Sequence, residues 1–364
     1  MEIFLQGTPG LEDILAEEAR SLSFLGVQSV AGGVICQGDF AEAMRANLWL
    51  RSAGRVLIRI AEFRAMHLAQ LDKRARKLDW ASILRPDRAW RVEATCRKSK
   101  IYHQRAAAER IEGAISAALG STPNPEALIV VKLRIEDDLC TLSLDTSGES
   151  LHKRGAKEFI GKAPMKETLA AAFLRACGYH GGMPVVDPMC GSGTFLLEAA
   201  EIAARLPAGR ARRFAFEDLA GFESADWSAM RRNFSSREAE AVQFYGFDRD
   251  QGAITGARAN AERAGVAEWT SFACQPLSAL EPPTQQKGLV ILNPPYGARI
   301  GNRKLLFGLY GAIGAVMRER FTGWQFGMVT SDEGLAKATG LTWSEVSRPV
   351  AFGGLTVKLY QSAL

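Results

Sequence analysis

The chain lacks the features that mark a metal site, a disulfide scaffold or a membrane span. Its six cysteines, at 36, 96, 140, 177, 190 and 274, include no CxxC pair, and its four histidines are equally scattered. That spacing argues against zinc and against a disulfide framework, and leaves reduced thiols in a cytoplasmic, metal-free protein as the expectation. No apolar run approaches the ~18 residues of a spanning helix, because Arg, Glu, Asp or Gly interrupts each one. The segment Met1–Ala16 meets Glu2, Glu12 and Asp13 and has no basic flank, so no signal peptide is expected. No internal repeat stands out. At 364 residues, 47% hydrophobic and 23% charged, the composition is that of a globular chain of two or three domains.

Acidic residues are scarce between positions 51 and 100, where 14 Lys/Arg face 5 Asp/Glu. The whole chain carries +5, so the remainder is about four negative. A second cluster, Lys153, Arg154, Lys157, Lys162 and Lys166, is opposed only by Glu158 and Glu167. Such asymmetry suggests a polyanion partner; the plainer alternative is a solvated face. Arg55, Arg59, Arg64, Lys73, Arg74, Arg76 and Lys77 are candidate phosphate contacts. Arg97, Lys98 and Lys100 precede a helix beginning near His103, where they add charge to a phosphate-accepting N-terminus. Lys153 and Arg154 lie where a nucleic acid bridging both halves would pass. Most of the 7 Trp and 18 Phe belong to cores, with Trp227 and Phe222 as the candidates for base stacking.

The first half alternates short strands and helices. Strands are expected at Glu2–Gln6, Gln28–Gln37 (bent at Gly32–Gly33), Arg55–Phe63 and Ala89–Cys96, with a hairpin of Leu128–Ile135 and Leu139–Leu144 around Asp137–Asp138. Helices are expected at Leu11–Leu22, Phe40–Leu50, Leu68–Leu78 and His103–Leu119. This is an α+β region of two small units, 1–62 and 63–150. A basic connector follows, 151–164. From 165 to 364, strand and helix alternate as in a parallel sheet. The helices are Met165–Cys177 (opened by Pro164), Thr194–Ala204, Gln251–Ala264 and Lys304–Arg320. The strands are Pro184–Asp187, Gln243–Phe247, Trp269–Ala273, Gly288–Leu292 and Gln325–Thr330. Thr342–Val346 and Thr356–Leu359 read as a closing hairpin, and Arg205–Ala241 as an irregular insert.

VVDPMCGSGTFLLEAA, Val185–Ala200, reads as strand, glycine loop and helix. Gly191 and Gly193 let the backbone approach a ligand and turn sharply, and the helix beginning at Thr194 offers free N–H groups. A nicotinamide fingerprint would need a third glycine near Phe195 or Leu196, and a P-loop would need GKS/T; neither is there. Asp187 ends the strand, with Pro188 after it, and Asp248 in FYGFDRD ends the next strand, where an acid holds a ribose diol. Together these point to S-adenosylmethionine. Cys190 in the loop reads as a packing residue, not a nucleophile.

LVILNPPYGARIG, Leu289–Gly301, carries the sharpest signal. A buried strand delivers Asn293-Pro294-Pro295-Tyr296 to the carboxyl edge of the sheet. The Asn293 side-chain oxygen and the Pro294 carbonyl can both accept from one exocyclic amine, and Tyr296 can stack on the base that bears it. Two acceptors favour a pyramidal nitrogen and stabilise the charge that develops as a methyl arrives. No covalent intermediate is needed.

DPMCGSGT with NPPYG behind a small α+β region resembles the THUMP-containing class I RNA methyltransferases, over nearly the whole chain. Within that family it is most similar to the N-terminal methyltransferase half of the bacterial 23S rRNA guanine-N2 enzymes. GLEDILAEE (Gly10–Glu18), GGVICQGD (Gly32–Asp39), LHKRG (Leu151–Gly155) and the stretch around Ala163–Ala172 carry that closer match. The resemblance implies a ferredoxin-like unit and a THUMP unit gripping structured RNA. Behind them it implies a Rossmann-like domain, a mostly parallel seven-stranded sheet, that methylates a flipped base. It further implies that Asp187, Pro188, Gly191, Gly193, Thr194 and Asn293 hold the cofactor, with Asp248 on its ribose, and that Asn293, Pro294 and Tyr296 hold the target amine. Two departures stand out. The family often carries an acid after the third core strand, and here Ala273-Cys274-Gln275-Pro276-Leu277 has none. Some members continue into a second methyltransferase, and this chain has no second GxG loop. The expected activity is N2-methylation of guanine in 23S rRNA, by a monomer with no membrane contact. A tRNA guanine-N2 enzyme, a DNA adenine-N6 enzyme and a non-catalytic assembly factor are the alternatives.

Overall fold

Apolar strand faces and helix stripes along the chain build two sheets and three cores. A computed structural model of the protein describes residues 1–160, 165–238, 241, 243–296 and 303–364. Expectations placed on Lys162, Ala163, Pro164 and 297–301 lie outside the described residues. Among those described, no helix is long and apolar enough to cross a membrane.

The first half runs β1 (Glu2–Gln6), α1 (Glu12–Ser21), β2 (Leu25–Val30), β3 (Gly33–Gln37), α2 (Phe40–Trp49), β4 (Arg55–Arg64), α3 (Leu68–Ala75), β5 (Trp90–Arg97), α4 (Gln104–Leu119), β6 (Ile129–Glu136) and β7 (Leu139–Asp145). All seven strands form one sheet, ordered β2-β3-β1-β4-β7-β6-β5. The expected boundary at 62/63 therefore falls inside β4, which pairs with β1 on one side and β7 on the other. A single core runs under both units, from Ile3 and Leu15 to Trp90, Ile111 and Leu133.

Two readings of this half need correction. Gln28–Gln37 is not one bent strand. It is the end of β2 and the whole of β3, turned back on each other at Gly32 (φ +83°) so that Val30 faces Gly33. The insert 205–241 is not irregular either. It contains a 3₁₀ turn at Ala215–Asp218 and α7 (Ser224–Arg232), and it packs Phe214, Phe216 and Trp227 into the front core. Trp227 is 4% exposed, with its ring edge-on to Phe216 at 4.9 Å, and Phe222 tilts against Phe216 at 6.0 Å. Trp227 is thus a core residue and Phe222 packs against that core; neither is a free stacking surface.

The second half runs α5 (Glu167–Ala176), β8 (Val185–Asp187), α6 (Thr194–Ala203), the α7 insert, β9 (Phe244–Asp248), α8 (Gln251–Ala264), β10 (Thr270–Cys274), β11 (Leu289–Leu292), α9 (Arg303–Arg320), β12 (Gln325–Thr330), α10 (Glu333–Ala338), β13 (Glu345–Val346), β14 (Val350–Phe352) and β15 (Leu355–Ala363). The sheet order is β10-β9-β8-β11-β12-β15-β13, with β14 beside β15. The first five strands are parallel, and β15 runs antiparallel to β12 and β13. The expected closing hairpin of Thr342–Val346 with Thr356–Leu359 needs correction: Glu345 and Val346 pair with Gln361 and Tyr360, the tight hairpin is β14 with the start of β15, and β15 pairs with β12 over 358–363. One core lies beneath α5, α6 and α8, the other beneath α9 and α10. This is the expected doubly wound, Rossmann-like architecture, and strand order reverses between β8 and β11. A ligand crevice opens at the carboxyl ends of the strands at such a reversal.

Candidate active site

At that reversal the chain places both of its motifs. β8 is entirely buried and ends on Asp187, which is 3% exposed. Its Oδ1 accepts from the Met189 N–H at 3.0 Å. Burial, with the Asp248 charge as a smaller contribution, pushes the carboxyl up to about 8. No cation offsets that cost among the described residues. A carboxyl held this way is primed for a cationic ligand group.

The turn that follows needs its glycines. Gly191 has φ +51° and Gly193 φ +80°, a region that other residues enter only with strain. A Cβ on Gly193 would press against the Phe272 ring and Ala257 at 3.3 Å. A Cβ on Gly191 would meet nothing within 4 Å, so open space lies in front of that backbone. The Gly191 N–H donates to Asp248 Oδ2 at 3.0 Å, which ties the loop to the end of β9. Asp248 Oδ1 accepts from the Asp250 N–H at 3.0 Å. Asp187, Gly191, Gly193 and Asp248 thus converge on one edge, and α6 starts there at Thr194.

β11 lies beside β8, with Val290 opposite Val186, and carries Asn293 to the same edge. Asn293 Oδ1 is buried and has no hydrogen-bond partner among the described residues. A buried acceptor left open costs about 1–3 kcal/mol, and such an atom awaits a donor. Pro294 is buried behind it. The Pro295 carbonyl accepts from Tyr310 Oη at 3.4 Å, and that hydroxyl also lies 3.2 Å from Thr330 Oγ1, which pins the turn to α9 and β12. Tyr296 is half-buried where the two cores of this domain meet, and burial pushes its hydroxyl up to about 12, so it is neutral at ordinary pH. The residues present fit a sulfonium amino-acid cofactor: an uncompensated carboxyl, an open glycine cradle and a second-strand acid. After β10, Gln275 donates its backbone N–H to the Asp248 carbonyl at 3.0 Å.

Several residues escaped the sequence reading. Asn260 on α8 is fully buried; its Oδ1 accepts from the Glu158 and Phe159 N–H groups, and its Nδ2 donates to the Ser192 carbonyl at 3.1 Å. Lys157 Nζ reaches Glu167 at 2.9 Å and Thr194 Oγ1 at 3.3 Å. Both strap the connector to the cofactor loop. Glu198 and Glu201, on the buried face of α6, are held by Arg51 at 2.9 Å each, with Arg154 on Glu198 at 3.1 Å and Arg210 on Glu201 at 2.7 Å. The available signal was a polar residue at a helix phase otherwise filled with Ala, Ile and Leu.

Three expected phosphate contacts are structural instead. Arg55 pairs with the buried Asp145 at 2.6 Å. Arg59 lies over the Phe4 ring and donates to Ser143 at 2.7 Å and Glu2 at 3.1 Å. Arg154 is 6% exposed and fills the α6 clamp. Arg154 is enclosed and must be paired, whereas Arg55 and Arg59 are partly exposed but already committed to Asp145, Glu2 and Ser143. Lys73, Arg74, Arg76 and Lys77 are exposed on or just after α3, although Arg76 pairs with Asp72 at 2.8 Å. Arg97, Lys98, Lys100 and Lys153 are exposed, with Arg97 3.8 Å from Glu136 and Lys153 2.8 Å from Glu149.

Comparison with known proteins gives a consistent picture. The family model for the RMKL-like methyltransferase domain matches residues 154–360, and that for the RlmL ferredoxin-like domain matches residues 2–57. A Synechocystis protein named as a candidate RNA methyltransferase is 33% identical over 365 residues, covering 98% of this chain and 94% of that one. The ribosomal RNA large subunit methyltransferase K/L of Syntrophotalea carbinolica is 36% identical over 360 residues, 94% of this chain; the chain spans 50% of that relative's length. The crystal structure of SMU.472, described as a candidate methyltransferase and solved with S-adenosylhomocysteine, aligns with a TM-score of 0.90 at 29% identity, over 100% of this chain and 97% of that one.

Proposed function

The chain belongs to the RMKL-like methyltransferase family, and on that premise we propose that it methylates the exocyclic N2 amine of a guanine in structured RNA, with large-subunit ribosomal RNA as the substrate. It is an S-adenosylmethionine-dependent RNA methyltransferase. The observation that supports the finer reading is the buried Oδ1 of Asn293, without a partner among the described residues, just past the end of β11 beside the cofactor loop.

In this reading Asp187 takes the cofactor's ammonium, the Gly191 and Gly193 backbone lies along its amino-acid end, and Asp248 takes the ribose hydroxyls. Bound there, S-adenosylmethionine supplies a methyl group on a sulfonium, an electrophile that needs no further activation. Asn293 Oδ1 and the Pro294 carbonyl accept the two hydrogens of the target amine and hold its lone pair toward that methyl. Tyr296, neutral and half-buried, stacks on the base and does not act as a proton acceptor. Residues 1–62 read as the ferredoxin-like unit and 63–150 as a THUMP domain. Lys73, Arg74, Arg76, Lys77, Arg97, Lys98, Lys100 and Lys153 are the cations left exposed to meet phosphates. The RNA assignment draws on the names of the relatives and on the basic surplus between 51 and 100.

The test is transfer of a radiolabelled methyl group by the purified protein to protein-free 23S transcript, precursor large-subunit particles, tRNA and duplex DNA, followed by digestion to nucleosides. N2-methylguanosine from large-subunit RNA is expected. The same nucleoside from tRNA alone would replace the substrate, and N6-methyladenine from DNA would overturn both base and nucleic acid.

A further inference from the structure

The far end of the front sheet carries one exposed aromatic side chain and several cations. Tyr102 is 81% exposed, the highest value among the large apolar and aromatic side chains at the surface. It follows β5 in a turn whose own packing is firm. Ile101, next to it, is 4% exposed and anchors the turn in the front core. The Lys100 N–H donates to Asp138 Oδ1 at 2.7 Å, the Asp138 N–H donates to Ser99 Oγ at 3.1 Å, and that hydroxyl donates to the Arg97 carbonyl at 2.7 Å. Lys98 sits in the left-handed region at φ +47°, a conformation that a lysine enters only with strain.

Two exposed cations, Lys98 and Lys100, precede Tyr102 on this turn. Lys98 and Lys100 form no ion pair among the described residues; the Lys100 ammonium lies 3.5 Å from the sulfur of Met66, itself 40% exposed. Arg64, Arg97 and Arg134 stand on the neighbouring strand ends. Two of the acids there are engaged, Glu136 by Arg134 and Arg97 and Asp138 by the Lys100 N–H of the turn, while Arg64 donates to the backbone carbonyl of Asp137 at 3.1 Å. Lys98, Lys100, Arg64, Arg97 and Arg134 against Glu136, Asp137 and Asp138 leave a formal excess of about two positive charges. The patch is remote from the active site. The connector and Arg51 meet the sheet at the start of β4, and Arg64 ends it, ten residues and roughly 30 Å away.

We propose that this sheet end is an anchoring platform for an unpaired nucleotide of the RNA substrate, whose base stacks on Tyr102 while Lys98 and Lys100 take the flanking phosphates. An exposed ring on the same turn as two cations without ion pairs among the described residues matches single-stranded nucleic acid, which offers a π-face and a phosphate at each step; a base-paired duplex hides the π-faces. The proposal rests on the RNA reading above and adds to it where, and in what form, the RNA is gripped far from the target base.

The full-length protein would be titrated into a single-stranded RNA octamer carrying 2-aminopurine, and into a blunt RNA hairpin of the same length. Quenching of 2-aminopurine is expected with the parent protein and with Tyr102→Phe. Tyr102→Ala is expected to abolish the quenching and weaken the octamer roughly 5- to 100-fold, the loss of one stack, with the hairpin and the melting temperature unchanged. Lys98→Ala with Lys100→Ala should flatten the salt dependence by about 1.4 in log–log slope. Parental quenching and affinity in Tyr102→Ala, or equal loss for octamer and hairpin, would overturn the platform. Absence of quenching in a protein that still methylates RNA overturns the platform alone. Quenching without methyl transfer to RNA overturns the proposed function alone.

Discussion

At the scale of single residues, Asp187 is the most informative group. Burial holds its carboxyl near 8, so at pH 6 the cofactor-free protein carries it protonated. Pairing with a cofactor ammonium requires the carboxylate, so binding must release a proton wherever the pH lies below that value. Cofactor affinity is therefore expected to rise between pH 6 and 7.5, by up to about tenfold per unit, because the cost of deprotonation falls as pH rises. Calorimetry in two buffers of different ionisation heat would register the released proton, and Asp187→Asn should bind weakly with no pH slope. Affinity flat over that range, without proton release, would show that the carboxyl is already ionised or plays no part. The residues of this edge were readable because each acid and glycine belongs to a local motif. The arginines were not. Arg55 meets Asp145 across 90 residues of sequence, and Arg154 meets Glu198 on a different element, so counting cations could not separate paired from free.

At the scale of elements, α6 connects cofactor loop and front unit. Its first turn leaves the glycine loop, and its buried face carries Glu198 and Glu201 into a clamp made by Arg51 of the front unit, Arg154 of the connector and Arg210 of the insert. Burial raises the Glu198 carboxyl to about 7 despite two guanidinium partners, while the cations around Glu201 lower its carboxyl below the usual range. Removing Glu198 leaves the buried guanidinium of Arg154 without an acid partner among the described residues. Glu198→Ala is expected to cost about 3–5 kcal/mol in denaturant unfolding, and Glu198→Ala with Arg154→Met should recover part of that loss. A single variant as stable as the parent would mean that water reaches the cluster. Strand and helix alternation was legible wherever one face is apolar, as in β4. β2 was not, because nearly every position in it is exposed and no apolar period marks it. The connector looked like a linker from its lysines and glycines, yet Leu151, Arg154 and Lys157 are packed into both halves through partners distant in sequence.

At the scale of the whole molecule, the two halves are one folded body joined by more than the connector. Phe214, Phe216 and Trp227, from the insert of the second half, fill the front core, and Leu11, from the first half, packs into the core beneath α5 and α6. The sequence could show an insert rich in aromatics; only the assembled fold shows which core they enter. Such a body holds the front sheet at a fixed distance from the β8–β11 edge, which the proposed reaction on one base in a large RNA would demand. The central claim is that this edge methylates the N2 amine of guanine in large-subunit RNA with Asn293 holding that amine. It is tested most directly in RNA from cells with and without this gene, digested to nucleosides and measured by mass spectrometry with ribosomal and transfer RNA kept apart. Loss of N2-methylguanosine from 23S rRNA, restored by the parent gene but not by Asn293→Ala, is the expected result. An unchanged N2-methylguanosine level in 23S rRNA, or full restoration by Asn293→Ala, would contradict it.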